Sequence, residues 1–392
     1  MHRLFRAVAG TAAALAVLSV NAPPASAADR VRDQQWQLGS VNADKAHQVT
    51  QGAGVTVAVI GTGVDATHPD LAGAVLPGAD FADDGDTSPA GREDRDGLGT
   101  TSAALIAGRG HGQGAGVLGV APRAMILPVR DTSAAGRAPR RTPEAIRWAV
   151  AHGAKVISLS ASGRPDEPAL RAAVADAQSA NVVVVAPVAD EATGATVGFP
   201  AAYPGVLAVG GLARTGRSGP APAPGPGTVL TAPAFQILGA TSRAVDDDGY
   251  AVSDSAVNGG AVVAGVAALV RSRYPELSAS EVAYRITATT SRIPALRGCR
   301  DEVDGYGPVD AYQAVTADVS VPPAGARSSP ACLASSRQPD ARDGDSTFRT
   351  SEEVRWDEVG GWWSVVFLGT GLLVGGAVVA AFGRLRRRRA TG

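Results

Sequence analysis

Cysteine and histidine are scarce: two and five residues respectively in a chain of 392. Neither is clustered, so the sequence offers no structural zinc centre, and no metal or cofactor is expected. The formal net charge is only −1, so there is no bulk positive field to recruit a nucleic acid, and no nucleic-acid partner is expected. Lysine occurs only at Lys45 and Lys155. Arginine carries the remaining basic charge, and together with the excess of Ala, Gly and Pro this points to coding composition more than to chemistry. No internal repeat is present. The apolar fraction, 45%, is ordinary for a globular chain and sufficient for a sizeable core.

Apolar runs flanked by arginine occur at both ends. Arg3 and Arg6 precede the short run Ala7–Val20, and Ala25-Ser26-Ala27 fits a small-residue cleavage site. Residues 1–27 are therefore expected to be a secretion signal. Near the other end, 362–383 contains no charged residue and is long enough to span a bilayer. Trp362 and Trp363 suit the outer interface, and the arginines of the 384–392 tail suit a cytoplasmic anchor. The expected localisation is the cell membrane, single-pass, with an extracytoplasmic ectodomain and a cytoplasmic C-terminal tail. In the oxidising compartment this implies, Cys299 and Cys332 favour a disulfide, with two free thiols as the alternative.

Between the ends, short β-branched runs alternate with helical spacing. Strands are expected at 55–60, 125–129, 155–159, 182–185 and 206–209, and helices at 143–152, 168–180 and 257–274. Ser278 and Glu281 have the spacing of a capping box. Such alternation implies an α/β fold with a mostly parallel sheet covered on both faces. The expected organisation is an N-terminal extension over 28–48, a globular domain over 49–318 and a Pro/Ser/charged linker over 319–361. The acidic stretch with Asp80, Asp83, Asp84 and Asp86 reads as a solvated loop rather than a Ca2+ site, and Asp246-Asp247-Asp248 as a turn.

Several ungapped strings resemble those of one family. Ala58-Val59-Ile60-Gly61-Thr62-Gly63-Val64-Asp65 with His68-Pro69-Asp70-Leu71, then Asp96-Gly97-Leu98-Gly99-Thr100, then Val263-Ala264-Gly265-Val266-Ala267, follow in order the catalytic segments of subtilases. Within that family, Gln35-Trp36-Gln37-Leu38, Phe199-Pro200-Ala201-Ala202-Tyr203-Pro204-Gly205 and Gly305-Tyr306-Gly307-Pro308 resemble mycosins, the membrane-anchored proteases of actinobacterial type VII secretion systems. The resemblance implies a subtilisin-like three-layer fold, a mostly parallel central sheet between helices, plus one C-terminal transmembrane helix. It also implies a membrane setting and type VII secretion membrane proteins as partners.

Subtilase chemistry uses a carboxylate, an imidazole, an oxyanion-binding amide and a serine, in that chain order. The resemblance places those roles at Gly61, Leu98, Asp190 and Val257, and none of the four has the required group. In subtilisin, losing the serine or histidine alone lowers kcat on the order of a million-fold. The expectation is a mycosin-type pseudoprotease, a structural or regulatory component of a type VII secretion complex, and not an enzyme. One alternative is an active serine endopeptidase with displaced groups, drawn from Ser253, Asp254, Ser255, Asp65, His68 and His111, although Ser255 or Asp254 reads more simply as a helix cap. A second is an extended-peptide-binding module, because the resemblance makes Ser158, Leu159, Ser160, Ala161, Ser162 and Gly163 line a peptide cleft whose backbone pairing needs no triad.

Overall fold

The run Val57-Ala58-Val59-Ile60 is fully buried on both sides, so it lacks the alternation of a half-exposed strand and forms the inner strand of a parallel sheet. The structure, a computed structural model, describes residues 31–82, 89–112, 114–132, 141–161, 164–188, 197–216, 227–291, 300 and 304–320. Its main sheet contains β1 (Thr56–Gly61), β2 (Ala79–Asp80), β5 (Met125–Arg130), β6 (Val156–Leu159), β7 (Val183–Pro187), β8 (Leu207–Leu212) and β9 (Leu230–Pro233). The order is β2-β5-β1-β6-β7-β8-β9, with every pairing parallel. Two antiparallel hairpins are added: β3 (Arg109–His111) with β4 (Ala115–Leu118), and β10 (Ile237–Ala240) with β11 (Tyr250–Ser253).

Strand residues alternate between two apolar layers. Val57, Val59, Val156 and Val185 face α3 (Leu98–Ala107) and α6 (Ala256–Arg273). Ala58, Ile60, Ile157 and Val184 face α4 (Thr142–Ala151) and α5 (Pro168–Ser179). The α6 helix is buried from Ala256 through Arg271 and is apolar almost all round, as expected of a helix enclosed by its own domain. Its close approach depends on Gly265, where a Cβ would fall 2.7 Å from the Cβ of Val120. The predicted capping box is present: Ser278 Oγ accepts from Glu281 N–H and Glu281 Oε2 accepts from Ser278 N–H, opening α7 (Ala279–Ala288).

Part of the N-terminal extension is built into the core. Leu38 of α1 (Trp36–Ser40) and Ala43 and Ala46 of α2 (Ala43–His47) are buried in the layer that holds α6. Gln35 mimics a strand partner, donating from Nε2 to Leu118 O at 3.0 Å and accepting Leu118 N–H at 2.8 Å. Val41 O accepts from Ala311 N–H at the start of α8 (Ala311–Thr316). The α3 helix was expected only as a motif. Its Leu-Gly-Thr-Thr-Ser start is poor in helix formers, and packing between β1 and α6 decides it. Among the described residues no helix is long and apolar enough to cross a membrane. The apolar run 362–383, the secretion signal over 1–27, Cys299 and Cys332 lie outside the described residues.

Asp70 ties the periphery together. It is fully buried. One carboxylate oxygen lies 2.5 Å from His111 Nδ1 on β3, and the other accepts Val117 N–H at 2.7 Å and Tyr250 Oη–H at 3.0 Å. Burial and the neighbouring Asp70 carboxylate push the Tyr250 phenol well above its ordinary value, so it stays a donor. Asp70→Ala leaves the Val117 N–H and the Tyr250 hydroxyl without an acceptor and is expected to cost about 2–3 kcal/mol in urea denaturation; an unchanged midpoint would show that these hairpins are held by packing alone.

Candidate functional site

The carboxyl ends of β1 and β6 are neighbours, yet the chain leaves them in opposite directions: from β1 towards β2 and β5, from β6 towards β7. In parallel α/β sheets such a reversal opens a crevice where ligands bind. Gly61 ends β1 there, its carbonyl accepting N–H groups from Asp131 at 2.9 Å and Thr132 at 3.1 Å. Ser160 follows β6, donating its own N–H to Ile60 O at 2.9 Å.

Leu98 is brought to the same edge by the loop before α3. Asp94 is buried and works as a staple: Oδ1 accepts N–H from Asp96 and Gly97, while Oδ2 accepts N–H and Oγ–H from Thr100. Thr62, one residue past β1, accepts Gly99 N–H at 2.9 Å. These bonds press the N-terminal turn of α3 against the end of β1. Leu98 is the first residue of that helix and is half-buried.

Val257 is the second residue of α6 and is 3% exposed. The helix starts just past the end of β9: Ser255 N–H and Asn258 Nδ2 both donate to Ala234 O. Thus the three elements that carry Gly61, Leu98 and Val257 converge on one edge of the sheet. None of these residues has a group that can take, give or hold a proton. Asp190, expected just after β7, lies outside the described residues.

Gly61 has a second property. A Cβ built on it would lie 2.7 Å from both Cβ and Oγ of Ser160, nearer than real side chains approach. Ser160 is buried, and its hydroxyl has no hydrogen-bond partner among the described residues. The space that a side chain at position 61 would enter is taken by Ser160.

The residues considered as displaced catalytic groups are engaged elsewhere. Ser255 caps α6, its Oγ accepting Val257 N–H at 3.3 Å. Ser253 Oγ accepts from Asn258 Nδ2, and Asp254 from Gln236 N–H. Burial opposes ionisation of Asp65, but the Thr67 hydroxyl and the N–H groups of Thr67 and Arg243, aided by His68, outweigh it and hold its carboxyl below the ordinary value. His68 is buried, bonding Gly249 O through Nε2 at 2.9 Å and accepting Asp70 N–H through Nδ1 at 3.2 Å. His111 pairs with Asp70, and no serine is among its partners.

Of the segment expected to line a peptide cleft, Ser158 is paired with Val59 on one side and Val185 on the other, and Leu159 with Ile60. Both are buried, and Ser158 is paired on both of its sides. Ser162 and Gly163 lie outside the described residues. Asp80 is paired with Arg130 at 2.9 Å, whereas Asp83, Asp84 and Asp86 lie outside the described residues. Among the described residues no group of acidic, His and Cys side chains is arranged to hold a metal ion. Asp246 Oδ1 and O accept N–H groups from Asp248 and Gly249, the expected turn. Nothing in the residue order singles out Asp94 or places Ser160 against Gly61: the first is an Asx turn inside a charged loop, and the second is a contact between the ends of neighbouring strands.

Comparison with known proteins agrees with this architecture. The model of the Subtilase family (peptidase S8) matches residues 52–312. Mycosin-1 of Mycobacterium tuberculosis is 34% identical over 347 residues, covering 75% of this chain and 76% of the relative. Subtilisin DY of Bacillus licheniformis is 31% identical over 258 residues, covering 64% of this chain and 90% of the relative. Among solved structures, the serine protease MycP1, an essential component of the type VII (ESX-1) secretion system, superposes with a TM-score of 0.62 at 31% identity, covering 75% of this chain and 90% of that one. With a parallel sheet reversing beside β1, a buried helix starting at the edge where Gly61 ends, and a family match across nearly all of that framework, the chain belongs to the subtilase family.

Proposed function

We propose that this chain is a catalytically inactive subtilase of the mycosin type: a membrane-tethered pseudoprotease that serves a type VII secretion complex as a structural or regulatory part. The observation that carries the reading is the pair Gly61 and Ser160. Position 61 lacks the carboxylate that would orient an imidazole, and a Cβ there would lie 2.7 Å from Ser160. A hydrocarbon at Leu98 and another at Val257 leave no base and no nucleophile on the elements that should present them. The tether rests on the apolar run 362–383 and its arginine-rich flank. The secretion partner rests on the likeness to Mycosin-1 and MycP1.

Two measurements test the inactive site. Gly61→Asp alone is expected to destabilise the protein by about 1–3 kcal/mol through overpacking, and Ser160→Gly in the same chain is expected to recover most of that loss. Additive effects of the two substitutions in a denaturation cycle would mean that the residues are not in contact. Fluorophosphonate treatment is expected to leave the natural chain unlabelled. A variant with Gly61→Asp, Leu98→His, Asp190→Asn, Val257→Ser and Ser160→Gly is expected to label at position 257. Labelling of the natural chain at any serine would sink the reading. The structural role predicts co-purification with secretion-channel membrane proteins after gentle solubilisation, and a freely diffusing monomer would count against it.

A further inference from the structure

The edge of the sheet opposite Gly61 carries a different kind of surface. An open cavity of about 570 Å3 is lined there by His47 of α2, Gln51 before β1, Arg109 on β3 and Arg123 before β5, with Leu118 and Pro122 as an apolar wall. Gln51 and Arg123 are joined by a backbone hydrogen bond of 2.9 Å at the amino ends of β1 and β5. Because the sheet is parallel, this places the cavity at the amino-terminal edge, away from the crevice.

The cavity is cationic: among the described residues no carboxylate lines it. Among the described residues Arg109 is positioned by neutral acceptors: Nε donates to Pro122 O at 3.2 Å, and its terminal nitrogens reach Ala72 O at 3.5 Å and Met125 Sδ at 3.4 Å. The Arg123 side chain has no hydrogen bond or ion pair among the described residues, and it is exposed. Elsewhere Arg130, Arg147, Arg164 and Arg171 each meet a carboxylate. His47 is fixed by Val120 O at 2.9 Å. Two guanidinium groups thus share one concave surface and meet no carboxylate among the described residues, in a chain whose net charge is near zero.

We propose that this cavity is a docking site for an acidic segment of a partner polypeptide, with a Glu or Asp carboxylate bound by Arg109 and Arg123 and an adjoining apolar side chain against Leu118 and Pro122. Guanidinium groups suit carboxylates because their N–H groups match the two oxygens. The volume is that of a site for a drug-sized ligand, roughly three or four residues of peptide and far more than one small anion fills. An anionic lipid surface is disfavoured, since its recognition takes about 4–8 basic residues and this surface is concave with two arginines. Docking here leaves the crevice at Gly61 untouched, so the inference stands or falls independently of the inactive site.

The test uses the full-length chain in mild detergent and a set of fluorescein-labelled, end-capped decapeptides in which two Glu residues, at varied spacing, are set among Leu, Ala and Ser. Fluorescence anisotropy is expected to show saturable binding of at least one peptide, and its Gln counterpart should bind at least about tenfold more weakly, as should Arg109→Gln and Arg123→Glu, in line with loss of a charged hydrogen-bond partner. Arg123→Glu touches no side-chain bond, so its thermal midpoint should match that of the natural chain. No binding by any Glu peptide, equal binding of the Gln counterpart, or undiminished binding by both variants would overturn the proposal. Displacement of the peptide by equimolar inorganic phosphate would overturn it in favour of a small-anion site. Capture on phosphatidylglycerol vesicles through the same arginines, without peptide binding, would overturn it in favour of a lipid surface.

Discussion

The closeness with which α6 lies against the sheet sets everything else. Sixteen consecutive residues, Ala256 through Arg271, are buried, and most of them are Gly, Ala or Val, so the helix axis can approach β6–β9 and α3 at once. Gly265 meets Val120 where a methyl group could not fit, and along the same helix Val262, Val266 and Val270 enter the same apolar layer as Val57, Val156 and Val209. Dense packing of this kind resists both added and removed volume. It fixes the start of α6, and with it Val257, at the carboxyl edge of the sheet.

That edge carries Gly61, Leu98 and Val257, none of which has a side chain that exchanges a proton. Asp94, Thr62 and Thr100 still hold the turn before α3 to the end of β1, and Ser255 still caps α6. These bonds stabilise backbone positions and do not depend on which side chains occupy 61, 98 and 257. Fold and chemistry are therefore separable here: burial maintains the first, while any chemistry would rest on a few side chains at one edge. Ser160 packs so closely against Gly61 that a Cβ at position 61 would lie 2.7 Å from it.

Much of this was legible in the amino-acid order. The buried run ending at Gly61, the strands starting near Met125, Val156, Val183 and Leu207, and the long small-residue helix all announce themselves by period and composition. So do Ser278 with Glu281, and the turn through Asp246 and Asp248, because cap and turn chemistry is local. The α3 helix was not legible, since Gly99, Thr100 and Thr101 carry little helix propensity and only the contacts of the folded chain compensate. Nor was the role of residues 31–48: Leu38 and Ala46 read as parts of an extension, yet they complete the layer around α6.

The sequence by itself determined the order of elements, the two-faced burial of the central strands, and the absence of any titratable group at Gly61, Leu98 and Val257. These follow from local period and residue identity, which need no partner distant in the chain. Tertiary structure alone decided that Ser160 occupies the space beside Gly61, that Asp70 joins two hairpins, and that His47, Arg109 and Arg123 share one cavity. Each of these depends on segments far apart in the chain meeting at fixed register, and only the packed parallel sheet sets that register.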